Sequence, residues 1–248
     1  MEDATVNYLN ALNRQFYQTL GAEFSATRRH IQPGVRHLLS QIPASASILD
    51  LGCGNGELAR QLARQGFCGA YIGLDFSSTL LDEAKEITAR EGSYRFLQAD
   101  LTSSEWAQML AGELGASNSA GFDFILAFAS LHHIPGKRLR LLVLRQARML
   151  ISPLGQFIHS EWMFLNSSRM RARILPWEKV SLNITQVDPG DYLLDWKKGG
   201  YGLRYVHHFS SPELDELASL ADFQVKQAFL SDGEGGKLSC YQVWLPAG

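Results

Sequence analysis

The chain has 248 residues, 46% of them apolar and 19% charged, a balance that excludes the disordered and fibrous classes and suits one large domain with an inserted or appended lid. A net charge of −2 at pH 7 and a pI near 6.4 exclude a globally basic, nucleic-acid-coating surface, so any RNA contact must be local. Cys53, Cys68 and Cys240 are an odd number without ligand spacing, which argues for reduced thiols rather than a disulfide framework or a zinc site.

Met1 is followed by Glu2 and Asp3 rather than by a basic, apolar-cored leader, and no apolar run approaches the roughly 18 residues of a membrane span, so a cytoplasmic protein without membrane contact is expected. Residues 1–42 read as a helical cap, with Tyr8, Leu9, Leu12, Phe16, Tyr17 and Leu20 at 3- and 4-residue intervals and a second helix over Val35–Gln41 ending before Pro43. From 47 to 161 short apolar runs alternate with amphipathic stretches, the pattern of a parallel sheet covered by helices. Strands are expected at Ser47–Leu51, Ala70–Asp75, Tyr94–Ala99, Phe122–Ala129 and Gly155–Glu161, and helices near Glu57–Arg64, Ser78–Arg90, Ser103–Leu114 and Lys137–Leu150. Residues 162–209 lose strand period and read as an irregular, substrate-facing insertion. The remainder, 210–248, gives a helix from Ser211 to Leu220 capped by Ser210 or Ser211, then an antiparallel hairpin of Phe223–Leu230 and Leu238–Leu245. The fold class is α/β, with a mostly parallel seven-stranded sheet forming a single domain. Basic clusters at Arg28, Arg29 and His30, along Lys137, Arg138, Arg140, Arg145 and Arg148, and at Arg169, Arg171 and Arg173 are candidates for local RNA contact or for solvated helix faces.

The sharpest chemical signal is Ile48-Leu49-Asp50-Leu51-Gly52-Cys53-Gly54-Asn55-Gly56-Glu57-Leu58, a buried strand running through a glycine turn into a helix. Glycines let backbone approach a ligand where a Cβ would collide. The spacing is G-x-G-x-G after an acid, not the G-x-G-x-x-G of dinucleotide sites, and an acid there suits an ammonium group better than a pyrophosphate. Asp75 ends the second strand, where a carboxylate can accept from both hydroxyls of a ribose; Asp100 ends the third, within reach of an adenine amino group.

On these residues the chain resembles the class I S-adenosylmethionine-dependent methyltransferases over roughly 48–161, which implies a Rossmann-like doubly wound fold and S-adenosyl-L-methionine as cofactor. The resemblance implies that Asp50, Gly52, Cys53, Gly54, Asp75, Phe76, Asp100 and Leu101 line the cofactor, and that the turn Ala127-Phe128-Ala129-Ser130-Leu131-His132-His133 faces cofactor and substrate. His132 and His133 are open to reading as a catalytic base or as packing against the adenosine; a metal site is not expected.

Outside this core, Phe16 to Arg28, Gly190-Asp191-Tyr192-Leu193-Leu194-Asp195-Trp196 and Arg204-Tyr205-Val206-His207-His208-Phe209 resemble the tRNA methyltransferases that esterify the carboxymethyl group on wobble uridine. That resemblance implies a tRNA substrate, Tyr17 and Arg28 near the cofactor, and Arg204, Tyr205 and His207 as catalytic residues at the substrate face. Enzymes of that family can depend on a small activating protein partner. A carboxylate acceptor is ionised at neutral pH, so it needs cationic positioning by Arg and His rather than a base. Two alternatives stand beside this: a small-molecule methyltransferase acting on a quinone precursor or natural product, with Trp162, Met163, Phe164, Trp177, Tyr192 and Trp196 lining an apolar pocket, and a non-catalytic cofactor-binding RNA-interaction subunit.

Overall fold

Helix α1 (Asp3–Ala26) buries Val6, Leu9, Phe16 and Leu20 at heptad-like spacing, one stripe of a long amphipathic helix, each such side chain contributing roughly 1.5–3 kcal/mol. The computed structural model describes residues 1–26, 30–115 and 120–248, and only the backbone of Ala22 and Phe24. After α1 come α2 (Pro33–Leu39), β1 (Ser47–Leu51), α3 (Glu57–Arg64), β2 (Ala70–Asp75), α4 (Ser78–Lys85), β3 (Ser93–Gln98), α5 (Trp106–Leu114), β4 (Phe122–Phe128), α6 (Lys137–Leu150) and β5 (Ile151–Trp162). The helix expected over Ser78–Arg90 stops at Lys85, and Ile87 beyond it packs over the loop glycine Gly56, where a Cβ would lie 2.8 Å from its Cδ1. The helix expected from Ser103 starts at Trp106, since Ser103 Oγ accepts instead from Glu105 N.

The insertion is a correction to the sequence reading. Between 162 and 209 the chain forms a short helix α7 (Ser168–Arg171) and an antiparallel three-stranded sheet of β6 (Ile174–Leu175), β7 (Asp191–Trp196) and β8 (Gly202–His207). Both β7 and β8 are buried over their last four positions, so neither shows the polar–apolar alternation by which a half-exposed strand is recognised. The chain closes with α8 (Ser211–Leu220), whose N-cap is Ser210, its Oγ accepting from Glu213 N, then β9 (Phe223–Ser231) and β10 (Ser239–Pro246).

The main sheet has the order β3-β2-β1-β4-β5-β10-β9; its first five strands are parallel, and β10 and β9 form the antiparallel hairpin. This is the Rossmann-like α/β fold with a C-terminal hairpin that the rhythm of the sequence predicts. Helices cover both faces: Trp106, Leu139, Val143 and Leu217 pack on one side, and Val35, Leu38, Leu58 and Leu62 on the other. Chain order reverses between β1 and β4, which opens a crevice at the carboxyl ends of those strands.

Helix α1 lies along β8 rather than on the main sheet. Asn13 pins it there as a strand would: its Oδ1 accepts from Tyr205 N at 2.8 Å, and its Nδ2 donates to Tyr205 O at 3.1 Å and to His133 O at 2.9 Å. One buried amide thus ties the cap, the insertion and the turn after β4 together.

Candidate functional site

The loop after β1 folds back over β2, with the amides of Gly52 and Cys53 both donating to Leu74 O. Gly52 sits at φ +82°, and a Cβ on it would fall 2.5 Å from Ser130 Oγ, which itself donates to Leu51 O. Only glycine meets both demands. Gly54 at φ +54° has open space where its Cβ would be, so there the requirement is the backbone turn and the room left for a ligand.

These glycines border a cavity of about 340 Å³ above the switch point. Asp50, Gly52, Cys53 and Gly54 from the first loop line it, as do Asp75 and Phe76 after β2 and Asp100 and Leu101 after β3. Phe128, Ala129 and His132 complete the strand-end wall, and Tyr17 enters from α1. Every expected cofactor-lining residue is therefore brought together except Arg28, which lies outside the described residues.

The strand-end acids differ in environment. Burial pushes the Asp50 carboxyl up to about 7, against a hydrogen bond donated by the Tyr71 hydroxyl. A cationic group in the cavity would restore its charge, which is what an ammonium-binding carboxylate requires. Asp75 is also raised by burial, although Gly54 N and Ser77 N donate to its two oxygens at 2.9 Å each and pull the other way. Asp100 takes Thr102 N and Oγ1 on one oxygen and the guanidinium of Arg14 on the other.

The turn after β4 is held in an uncommon conformation: Ala129 has φ +53°, and its amide donates to both the carbonyl and the hydroxyl of Ser160. It presents His132, whose Nδ1 is 3.0 Å from Glu161 Oε2, and His133, whose Nε2 is 2.9 Å from the Tyr17 hydroxyl.

Of the three residues expected at the substrate face, the cavity receives one. Arg204 is 2% exposed and lines it, its guanidinium carbon 5.5 Å, 5.1 Å and 5.7 Å from the ring centroids of Phe16, Trp162 and Trp196. Tyr205 and His207 are not brought to the cavity. Alternation along β8 sends them to the opposite face, where His207 bridges Asp191 and Glu213 while the Tyr205 hydroxyl donates to Asp191 and meets Arg140. The basic cluster on α6 is likewise structural in part: Arg140 is buried, and Arg145 and Arg148 donate to the carbonyls of Leu220 and Asp222. Asp195 lies between Arg173 and Lys197, whose hydrogen bonds and charges outweigh burial and hold its carboxyl below the ordinary range.

Sequence reasoning missed Asn10, Asn13 and Arg14 on α1, and Glu161 and Tyr241 on the far wall. The α1 signal was present: Asn10, Asn13, Arg14 and Tyr17 stand at i, i+3, i+4 and i+7, a polar stripe beside the apolar one. Nothing local marks Glu161, whose partners come from the turn after β4 and from within its own buried strand.

Residues 22–228 match the family described as a methyltransferase domain. The chain is 25% identical over 171 residues to the tRNA (carboxymethyluridine(34)-5-O)-methyltransferase ALKBH8 of Mus musculus, covering 67% of this chain and 22% of that protein. It is 36% identical over 104 residues to the trans-aconitate 2-methyltransferase of an Acidovorax species, covering 41% of this chain and 38% of that one. The chain spans less than two thirds of the length of the curated relatives it matches. Among solved structures, an S-adenosylmethionine-dependent methyltransferase from Methanosarcina mazei shares the fold with a TM-score of 0.64 at 19% identity, covering 88% of this chain and 98% of that one.

Proposed function

The chain belongs to the methyltransferase-domain family; from that premise we propose that it is an S-adenosylmethionine-dependent methyltransferase whose acceptor is a carboxylate, best matched by the carboxymethyl group of a tRNA wobble uridine. The site fits the cofactor on its own terms: a loop that excludes Cβ atoms at Gly52, a carboxyl at Asp50 that waits for a cation, and two further strand-end acids. In this reading Asp50 holds the ammonium group, Asp75 the ribose hydroxyls, and Asp100 with Leu101 the adenine. Bound there, S-adenosylmethionine supplies an electrophilic methyl group, and the chain's own residues align the acceptor and exclude water.

The observation that carries the acceptor class is Arg204, a guanidinium boxed by three aromatic rings on the cavity wall. Three rings packed around it hold the guanidinium in place, and its fork of N–H donors matches the geometry of a carboxylate. Likeness to a carboxymethyluridine methyltransferase and to a trans-aconitate methyltransferase supports the same chemistry from two directions.

A second reading, a small carboxylic acid as acceptor, is favoured by the overall charge of −2 and by the mainly aromatic wall around Arg204. Methyl-labelled S-adenosylmethionine offered with tRNA bearing 5-carboxymethyluridine, with the same tRNA lacking it, and with a panel of small acids separates the two. A methyl ester releases volatile label in mild alkali, whereas an ether or N-methyl group does not. Label on either acceptor that survives alkali would overturn the carboxylate reading.

A further inference from the structure

The insertion reverses the sign of the chain that carries it. Residues 162–209 hold seven Lys and Arg against four Asp and Glu, in a protein whose net charge is −2. A polyanion is therefore repelled by the molecule as a whole and can be held only where basic groups gather.

Much of that charge lies on one continuous piece of surface. The amide of Met163 donates to Leu238 O and Asn166 Nδ2 donates to Lys237 O, both at 2.8 Å, which sets Lys237 of the β9–β10 hairpin beside the start of α7. Helix α7 carries Arg169 and Arg171, both exposed. Arg173, just beyond, ties α7 to the end of β7: its Nε is 3.2 Å from Asp195 Oδ1, and its carbonyl accepts from Asp195 N at 3.1 Å. Lys197 Nζ meets the other Asp195 oxygen at 2.9 Å, and Lys198 follows it on the β7–β8 turn. The acids of this surface are Asp195, already shared between Arg173 and Lys197, Glu234 on the hairpin, and Glu23, which stands against Gly199 of the β7–β8 turn. Lys and Arg outnumber them.

This strip borders the cavity without lining it. Trp162, ahead of α7, and Ser239, two residues past Lys237, are cavity walls. At the other end the Arg173 guanidinium carbon is 5.5 Å from the ring of Trp196, which packs on the cavity-lining Arg204. On the same turn as Lys197 and Lys198 stands Tyr201, a ring 64% exposed. Cations that follow phosphates, interleaved with a ring on which an unpaired base can stack, suit single-stranded RNA. A membrane surface calls instead for a long apolar helix face beside the charges, and α7 has four residues.

We propose that Arg169, Arg171, Lys197, Lys198 and Lys237 form a docking strip for the phosphate backbone of an RNA hairpin, with Tyr201 stacking a loop base next to the one delivered to the cavity. This rests on the tRNA reading above and names the surface that would hold that substrate.

Fluorescence anisotropy with a labelled RNA stem-loop bearing 5-carboxymethyluridine in its loop tests it, on the full chain saturated with S-adenosylhomocysteine. The logarithm of affinity is expected to fall linearly with the logarithm of salt concentration, by about 0.7 for each phosphate neutralised. Arg169→Gln with Arg171→Gln, and separately Lys197→Gln with Lys198→Gln, are each expected to weaken binding about tenfold and to flatten that slope by about 1. Tyr201→Ala is expected to weaken binding about tenfold at an unchanged slope, and Tyr201→Phe to restore it. A matched pair on α6, Lys137→Gln with Arg138→Gln, is expected to leave both quantities as they were. Equal losses from all three pairs would make the binding a general charge effect and overturn the strip, and tighter retention on phosphatidylserine vesicles than on RNA, lost in the same variants, would make it a membrane surface instead. Strip variants that bind the stem-loop like the unsubstituted protein, while methyl label still reaches the modified tRNA, sink the inference alone. Methyl transfer to a small acid and none to that tRNA sinks the tRNA reading and the inference with it.

Discussion

Asp75→Ala separates the two jobs that this carboxylate is given. In the structure Asp75 accepts one hydrogen bond from Gly54 N and one from Ser77 N, both 2.9 Å, while 7% exposed. Alanine leaves two backbone donors without that acceptor, each costing about 1–3 kcal/mol, and relieves the burial that raises the Asp75 carboxyl, so a net loss of about 2 kcal/mol in stability is expected. Cofactor binding should suffer more. Two ribose hydroxyls donating to a charged acceptor are worth about 1.5–3 kcal/mol each, and the glycine loop that Asp75 ties down loses its anchor, so affinity should fall at least about 100-fold. Calorimetric titration with S-adenosylmethionine measures the second effect, and thermal unfolding without ligand the first. Affinity within twofold of the unsubstituted protein, whatever the melting temperature does, would refute the ribose assignment and leave Asp75 a structural tie for the loop.

Three further outcomes follow from the geometry. Gly52→Ala forces a Cβ to within 2.5 Å of Ser130 Oγ at φ +82°, so cofactor titration should show no binding; Gly52→Ala with Ser130→Gly removes the collision but not the strain and should recover binding only in part. Arg204→Lys keeps the charge but loses the forked guanidinium held among Phe16, Trp162 and Trp196, so the KM for a carboxylate acceptor should rise about tenfold or more while cofactor affinity stays within twofold; equal loss of both would make Arg204 structural. His207 carries a pH signature: burial favours its neutral ring, but Asp191 at 2.6 Å and Glu213 at 2.9 Å outweigh burial and raise its value above 6.5. A raised folded value means stability fully present below about pH 6.5 and lost as pH rises through the folded value. The gap in melting temperature between the unsubstituted protein and His207→Asn should therefore be wide at pH 6 and narrow by pH 9, and a gap independent of pH would refute the charged bridge.

Much of the cavity's strand-end wall was legible because its signals are local. A glycine forced to positive φ at Gly52 and an acid at the tip of each of three successive strands, Asp50, Asp75 and Asp100, are written in short windows. A parallel sheet then brings strand tips to one edge whatever else the chain does. The rhythm of apolar runs and amphipathic helices fixed the layer order for the same reason: period reports burial, and burial follows from backbone geometry. What lies across the cavity was not legible. Whether Arg204 or its neighbour Tyr205 faces inward depends on the register of β8 against β7 and on Asn13 of α1 pairing with the backbone of Tyr205, contacts between residues nearly 200 positions apart. The Glu161 contacts depend on tertiary packing in the same way, since His132 stands 29 residues from its carboxylate and is matched to it only when β4 and β5 lie side by side. Sequence by itself determined the fold class and which residues meet at the strand-end edge of the cavity, where each residue's place follows from its own strand or turn. Only the tertiary structure decided the opposite wall, because which side chains face a cavity from distant elements is set by how those elements pack.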